Sequence, residues 1–196
     1  MHRITKSTFI VTPLVLCLLF NICMAGPAKP KYLAGIEGFI GFAKAKLREK
    51  GNYFLTPLIF DFDFDLKPFF KKRGFSLPGL FQFQLEPFMC IVSKPNTNIE
   101  AGNAFMFKVG ILPETAKFQP YGKIGVGMLY LSQRTREQST QFNFLEQGGI
   151  GAHYFFNKNT AFTAECRFRH LSNSGIKRPN SGINTLFFVV GTTYKF

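Results

Sequence analysis

Apolar and polar side chains alternate without interruption along several segments of the chain. Residues 60–65 read Phe-Asp-Phe-Asp-Phe-Asp, and residues 81–86 read Phe-Gln-Phe-Gln-Leu-Glu. A period of two places all the apolar side chains of a segment on one face of a β-strand. No segment has a sustained helical period, so the sequence predicts an all-β protein whose strands each have one apolar face.

Turn residues divide the chain into eight such segments. The connections include 71–74, 94–96, 157–159 and 173–182, which are rich in Gly, Pro, Asn and Lys. Each segment is longer than the roughly 9–11 residues that a tilted strand needs to cross a bilayer. The predicted strands lie at about 35–46, 51–65, 79–92, 99–112, 120–132, 141–156, 160–172 and 183–196.

The last strand distinguishes a membrane barrel from a soluble sandwich. It ends in Phe196, and it resembles the assembly signal at the end of bacterial outer-membrane barrels. The chain is 46% hydrophobic and contains 26 Phe residues, yet no stretch after the first 25 residues has the roughly 20 apolar residues of a membrane-spanning helix. We therefore predict an eight-stranded antiparallel transmembrane β-barrel in the bacterial outer membrane. Its interior should be filled by side chains rather than open as a pore.

The first 25 residues have the pattern of a secretory signal peptide. Arg3 and Lys6 precede an apolar run, and Ala25 is a plausible last residue before cleavage. The mature domain would then be 26–196. The net charge is +13, and it falls to +11 once the two basic residues of the signal are removed. Such a charge favours an anionic partner, and export favours a phosphorylated lipid surface over nucleic acid.

Other conspicuous residues are interpreted as structural. Cys90 and Cys166 are too few for a disulfide framework, and we expect them to remain unpaired. The carboxylates of 60–65 lack the glycine that a calcium loop requires. They are expected inside the barrel, facing Arg167 and Arg169.

The seventh strand carries an unusual pair of polar residues on its apolar face. His170 and Ser172 share that face with Phe168, whereas Arg167 and Arg169 lie on the other face. Because the charged face belongs inside the barrel, His170 and Ser172 should point outward to lipid. Polar side chains are energetically costly on a lipid-facing surface, so their presence there indicates a function. The remaining histidine of the mature chain, His153, has no serine at a matching position and is expected to be structural.

The eighth strand should add a third polar side chain. If the hairpin closes symmetrically around 172–183, His170 faces Asn184, and directly opposite Cβ atoms lie about 4.5–5.5 Å apart. Asn184 could then orient the imidazole of His170, which could in turn accept the proton of the Ser172 hydroxyl. The geometry predicts catalysis on a lipid of the outer leaflet. Both termini of such barrels lie in the periplasm, so the 173–182 loop should open at the cell surface.

The stretch 168–184 resembles the signature of the lipid A 3-O-deacylase family (the PagL type). It contains His-x-Ser-Asn and, downstream, Pro-Asn-x-Gly. The resemblance implies an eight-stranded barrel that hydrolyses the ester at the 3 position of lipid A, with neither metal nor cofactor. It assigns the base to His170 and the nucleophile to Ser172, and it matches family asparagines to Asn173 and Asn180. The best-known member carries glutamate where this chain has Asn184, and asparagine can orient the ring but cannot stabilise its charge.

A tetrahedral intermediate also needs hydrogen-bond donors. Asn173, Asn180 and the backbone around Gly175 are the candidates for an oxyanion hole. All three are also ordinary turn residues; for Gly175 we prefer that explanation, and for Asn180 the two remain open.

Lipid A or lipopolysaccharide is thus the expected partner, and the chain is expected to be a monomer or weak dimer. The alternative is a non-enzymatic outer-membrane barrel with a structural or lipid-binding role. Phosphate docking is also possible at basic residues of the predicted surface loops, which are Arg134, Arg136, Lys177 and Arg178.

Overall fold

The computed structural model describes residues 32–196, except 77, 134 and 136. The predicted signal peptide, and with it the predicted start of the mature domain, lies outside the described residues. So do Arg134 and Arg136, two of the residues considered for phosphate docking. The described part forms a closed barrel in which each strand pairs antiparallel with the next and the last pairs with the first. This is the predicted fold.

In the described part of the chain, eight strands form the barrel and one short helix lies in the connection between the second and third strands. Every predicted strand end lies within two residues of the observed end. The helix was not predicted: it has five residues, with Pro68 in its first turn. No helix among the described residues is long and apolar enough to cross a membrane. The elements are β1 (Leu33–Leu47), β2 (Gly51–Asp65), α1 (Lys67–Lys71), β3 (Phe81–Lys94), β4 (Asn98–Gly110), β5 (Phe118–Leu131), β6 (Phe142–Phe155), β7 (Thr160–Ser172) and β8 (Ile183–Lys195).

The strand faces are oriented as the alternation predicts. Large apolar side chains point outward and are exposed, for example Ile124 at 69% and Ile150 at 71%. The opposite faces are buried and carry most of the polar and charged side chains. An apolar exterior around a polar, filled interior is the arrangement of a small outer-membrane barrel.

The interior contains an ion network centred on Lys123. Its ammonium lies 2.9 Å from Asp61, 3.1 Å from Glu86 and 3.2 Å from Glu165. Arg167 pairs with Glu86 at 2.7 Å and also with Glu165. Buried charges persist only when they are paired in this way, because each would otherwise lose its hydration without compensation.

Among the described residues, the carboxylates of 60–65 form no direct ion pair with Arg167 or Arg169, although Asp61 interacts electrostatically with Arg167. Asp61 pairs with Lys123, and Asp63 accepts a hydrogen bond from Gln84 at 2.6 Å. Arg169 instead pairs with Glu100 at 2.7 Å. Alternation correctly placed these groups inside the barrel. It could not predict that Asp61 pairs with Lys123, because β2 and β5 are not adjacent; Gln84, by contrast, is directly opposite Asp63 on β3.

The two cysteines of the described chain are unpaired, as predicted. Cys90 is buried inside the barrel, and Cys166 shares the outward face of β7. Because their side chains lie on opposite sides of the barrel wall, they cannot form a disulfide without rearrangement of the backbone.

Candidate active site

The three predicted catalytic residues lie together on the outer wall of the barrel. The β7–β8 register pairs His170 with Asn184, as the symmetry of the hairpin predicts. Leu171 is buried, whereas His170 and Ser172 are half-buried and Asn184 is exposed. All three therefore point outward, near the rim that carries the 173–182 loop, which we call the site rim.

A short hydrogen bond joins two of these residues. His170 Nδ1 and Asn184 Oδ1 are 2.6 Å apart. An amide oxygen can only accept a hydrogen bond, so this contact requires a proton on Nδ1. In the neutral ring the lone pair is then on Nε2, which is the nitrogen a serine hydrolase uses as its base.

Gly182 provides the space for the imidazole ring. Its φ is +76°, and a Cβ built at this position would contact His170 Cε1 and lie 3.0 Å from Nε2. A side chain here would therefore displace the ring, in addition to straining the backbone. Sequence reasoning treated Gly182 as a turn residue and missed this contact.

Ser172 is not hydrogen-bonded to His170 in the structure. Its Oγ accepts a hydrogen bond from the backbone N–H of Ser174 at 3.4 Å. The two residues are separated by one position on the same face of β7, so their Cα atoms are roughly 6.5–7 Å apart. Rotation about the Cα–Cβ bond of Ser172 is needed to direct its hydroxyl towards Nε2.

Two of the oxyanion candidates are engaged within the loop. The amide of Asn173 donates to Lys177 O at 2.7 Å and to Ser139 Oγ at 3.3 Å. The N–H of Gly175 donates to Asn173 Oδ1 at 3.0 Å. These donors build the loop in this conformation, which agrees with the turn chemistry considered from the sequence.

Asn180 is arranged differently. Its Oδ1 accepts a hydrogen bond from the Asn173 N–H at 2.9 Å, which fixes the amide beside the residue that follows Ser172. Its Nδ2 donates to no group among the described residues. Of the three candidates, Asn180 is thus the one with a free donor.

The β5–β6 loop supports this hairpin, a role the sequence did not indicate. Gln138 is fully buried, and its Nε2 donates to Leu171 O, between His170 and Ser172, at 3.0 Å. Gln138 also forms an isolated β-bridge with Asn180. The loop therefore holds both ends of the 173–182 segment.

Sequence reasoning also missed charged residues around the site. Glu146 on β6 is directly opposite His170, on the outward face. Lys44 and Lys46 point outward from β1, on the far side of β8. The parity of their strands could have identified all three, because each interrupts an otherwise apolar face.

A family model described as lipid A 3-O-deacylase (PagL) matches residues 60–193. This range includes both strands of the site hairpin. The chain belongs to the lipid A 3-O-deacylase (PagL) family. A comparison with curated protein sequences finds no match.

Solved structures with similar folds support the architecture. The outer membrane enzyme PagL is 17% identical, with a TM-score of 0.59, and the match covers 78% of this chain and 97% of that one. Neisserial surface protein A is 11% identical, with a TM-score of 0.56 and coverage of 83% and 96%. Family, fold and apolar exterior together place this PagL-family chain in the bacterial outer membrane.

The outer wall of this PagL-family barrel has an apolar depression, which begins four residues along β7 from His170 and lies towards the opposite rim. Its volume is about 840 Å³, and its lining includes Ala152, Ala164, Cys166 and Phe188. Cys166 and Ala164 lie on the outward face of β7, four and six residues from His170 towards the opposite rim. Its lining on β6 and β7 includes the small residues Gly151, Ala152 and Ala164.

Inside the barrel, one group of carboxylates has the spacing of metal ligands. Oxygens of Glu37, Asp61 and Glu165 lie within 4.8 Å of one another. The ammonium of Lys123 is 2.9 Å from Asp61 and 3.2 Å from Glu165, so it supplies positive charge at this position. His153 is also interior, with Nδ1 2.8 Å from Thr163 Oγ1, consistent with the structural role expected for it.

Proposed function

We propose that this chain hydrolyses the ester-linked acyl chain at the 3 position of lipid A by a serine–histidine mechanism. The observation that carries the proposal is the His170–Asn184 hydrogen bond of 2.6 Å on the lipid-facing wall, two residues from Ser172. A polar triplet at this position has no evident use in building the barrel. It is within reach of an ester in the outer leaflet.

His170 acts as the base and Ser172 as the nucleophile. Nε2 takes the Ser172 proton while Oγ attacks the ester carbonyl carbon, and a tetrahedral oxyanion forms. The bond between the carbonyl carbon and the sugar oxygen then breaks, and the imidazolium gives its proton to that oxygen, which leaves as the sugar hydroxyl. Water, deprotonated by the same nitrogen, attacks the acyl-enzyme, and the imidazolium returns this proton to Ser172 Oγ as the fatty acid leaves. Asn184 keeps the ring in the required tautomer throughout.

Asn180 supplies a donor to the oxyanion. Its Oδ1 is held by the Asn173 N–H at 2.9 Å, which leaves Nδ2 to stabilise the developing charge. One such donor contributes about 3–4 kcal/mol to the transition state. Asn173 and Gly175 support the loop in this scheme, because their donors are already engaged.

The surroundings suit a phosphorylated lipid. The acyl chain would lie in the depression beneath His170, and the headgroup would meet basic side chains at the site rim. Lys44 and Lys46 can extend towards the headgroup region from the apolar wall. Lys177 and Arg178 are exposed in the loop and can bind phosphate. We take the site rim to be the extracellular one.

Mass spectrometry of lipid A tests the proposal. Cells expressing the full chain should produce lipid A that lacks the mass of one 3-linked acyl chain, and Ser172→Ala should abolish this loss. Ser93→Ala is the matched control, since Ser93 also points outward at the end of a strand, on β3. Unmodified lipid A from cells with folded wild-type barrel would instead favour a non-enzymatic barrel.

We further propose that the barrel acts as a monomer or weak dimer, because the triplet comes from a single hairpin and needs no second chain. Sedimentation in detergent, measured beside the deacylation rate over a range of protein concentrations, tests this. A rate per barrel that rises with dimer formation would contradict it.

A further inference from the structure

The outward faces of the eight described strands carry a single carboxylate, that of Glu146. The other acidic side chains of these strands point into the barrel or lie at the end of β2. The same outward faces carry a single imidazole, that of His170. The β6–β7 register pairs these two residues directly.

The depth of Glu146 makes its position more unusual. From the site rim, the outward residues of β6 are Phe142, Phe144 and then Glu146. The two phenyl rings pack edge to face, with centroids 5.3 Å apart, between Glu146 and the loop. A carboxylate on the membrane side of two aromatic rings loses much of its hydration, and such residues are rare without a function.

We propose that Glu146 is the charge partner of His170, a positioning residue that stabilises the imidazolium formed during the reaction. This inference rests on the proposed function and adds the acidic group that Asn184 does not supply. In the sheet, residue His170 lies between Asn184 on β8 and Glu146 on β6, and its ring contacts Asn184. Asn184 fixes its tautomer by a hydrogen bond, and Glu146 supplies the negative charge.

The division of roles follows from the contacts. The Asn184 bond occupies Nδ1, and the Glu146 carboxylate makes no hydrogen bond to the ring. Directly opposite Cβ atoms are about 4.5–5.5 Å apart, so rotation of the Glu146 side chain can bring its carboxylate towards the imidazole. When Nε2 takes the Ser172 proton, the ring becomes a cation next to this carboxylate. In this chain, therefore, orientation and charge compensation come from two residues on opposite sides of the histidine.

The experiment uses purified full barrel in mixed micelles with lipid A, comparing wild type with Glu146→Gln, Glu146→Asp and Glu146→Gln/Asn184→Glu. We expect Glu146→Gln to lower kcat roughly tenfold to a hundredfold with little change in KM. Glu146→Asp should keep part of the wild-type kcat. In the double variant, the carboxylate added at residue 184 should restore most of the kcat lost in Glu146→Gln.

Three results would overturn the inference: an unchanged rate in Glu146→Gln, a change confined to KM, or no rescue by the double variant. Removing a charge from the lipid-facing wall should not impair folding, which heat-modifiable migration on a gel verifies. If wild type itself is inactive, the proposed deacylation fails. Glu146 is then judged separately, by NMR of the His170 ring nitrogens in the wild type and in Glu146→Gln. At one fixed pH these nitrogen signals should differ between wild type and Glu146→Gln, and identical signals would refute the pairing.

Discussion

Replacing Gly182 with alanine should inactivate the site while leaving the barrel intact. A Cβ at this position would contact His170 Cε1 and lie 3.0 Å from Nε2, whereas ordinary contacts begin at 3.4 Å. The ring would have to move by about 1 Å, and a displacement of that size can reduce a rate about a hundredfold. We therefore expect kcat to fall by about that factor, through loss of the Nε2 position and of the Asn184 bond.

A second effect of the substitution must be separated from the first. The φ of +76° is in the left-handed region, where a side chain costs about 1–2 kcal/mol. Gly51→Ala isolates this cost, since Gly51 has a φ of +72° and its Cβ would have nothing within 4 Å. Both variants should lose similar stability against urea in detergent micelles.

The assay is release of fatty acid from lipid A in mixed micelles, with the folded fraction of each variant determined by gel migration. Gly182→Ala should be about a hundredfold slower than Gly51→Ala at equal folded protein. If the two variants have the same kcat, the catalytic position of the imidazole does not depend on the absence of a side chain at residue 182. The proposed dependence of catalysis on the ring position seen in the structure would then be refuted.

Other substitutions test separate parts of the structure. Asn184→Ala should lower kcat about a hundredfold without changing KM, because the ring loses the acceptor that fixes its tautomer; equal rates would remove its orienting role. Gln138→Ala should lower kcat several-fold and increase hydrogen exchange in the 173–182 loop, since about 1 kcal/mol of support at Leu171 O is lost. Arg167→Met should destabilise the barrel to urea by about 3–5 kcal/mol, because Glu86 and Glu165 lose a buried partner.

Strand alternation was sufficient to predict most of the fold. The period of two fixed which side chains point outward, and turn residues fixed the strand ends to within two positions. The His170–Asn184 pairing followed because a hairpin closes locally, with few possible registers. The same argument did not extend to Asp61 and Lys123, whose strands are not adjacent and meet only after the barrel has closed.

The remaining features of the site depend on loop conformation or on neighbouring strands. Gln138 reaches Leu171 O only because the β5–β6 loop folds over the rim, and no local sequence signal encodes that contact. Glu146 was accessible to sequence reasoning, since its parity on β6 places it outward. Sequence reasoning considered only the β8 neighbour of His170, although a residue in a sheet has neighbours on both adjacent strands.

The filled interior explains why the proposed ester hydrolysis would take place on the outside of this barrel. Lys123, Arg167 and their carboxylate partners occupy the centre, so no lipid can enter and no channel is available. A substrate dissolved in the membrane can reach only the outer wall, where paired strands hold side chains more rigidly than loops do. Polar groups on that wall lose hydration, which destabilises them but also strengthens the electrostatic interactions between them. The conjunction of His170, Asn184 and Glu146 at one level of three adjacent strands is therefore better explained by catalysis than by stability.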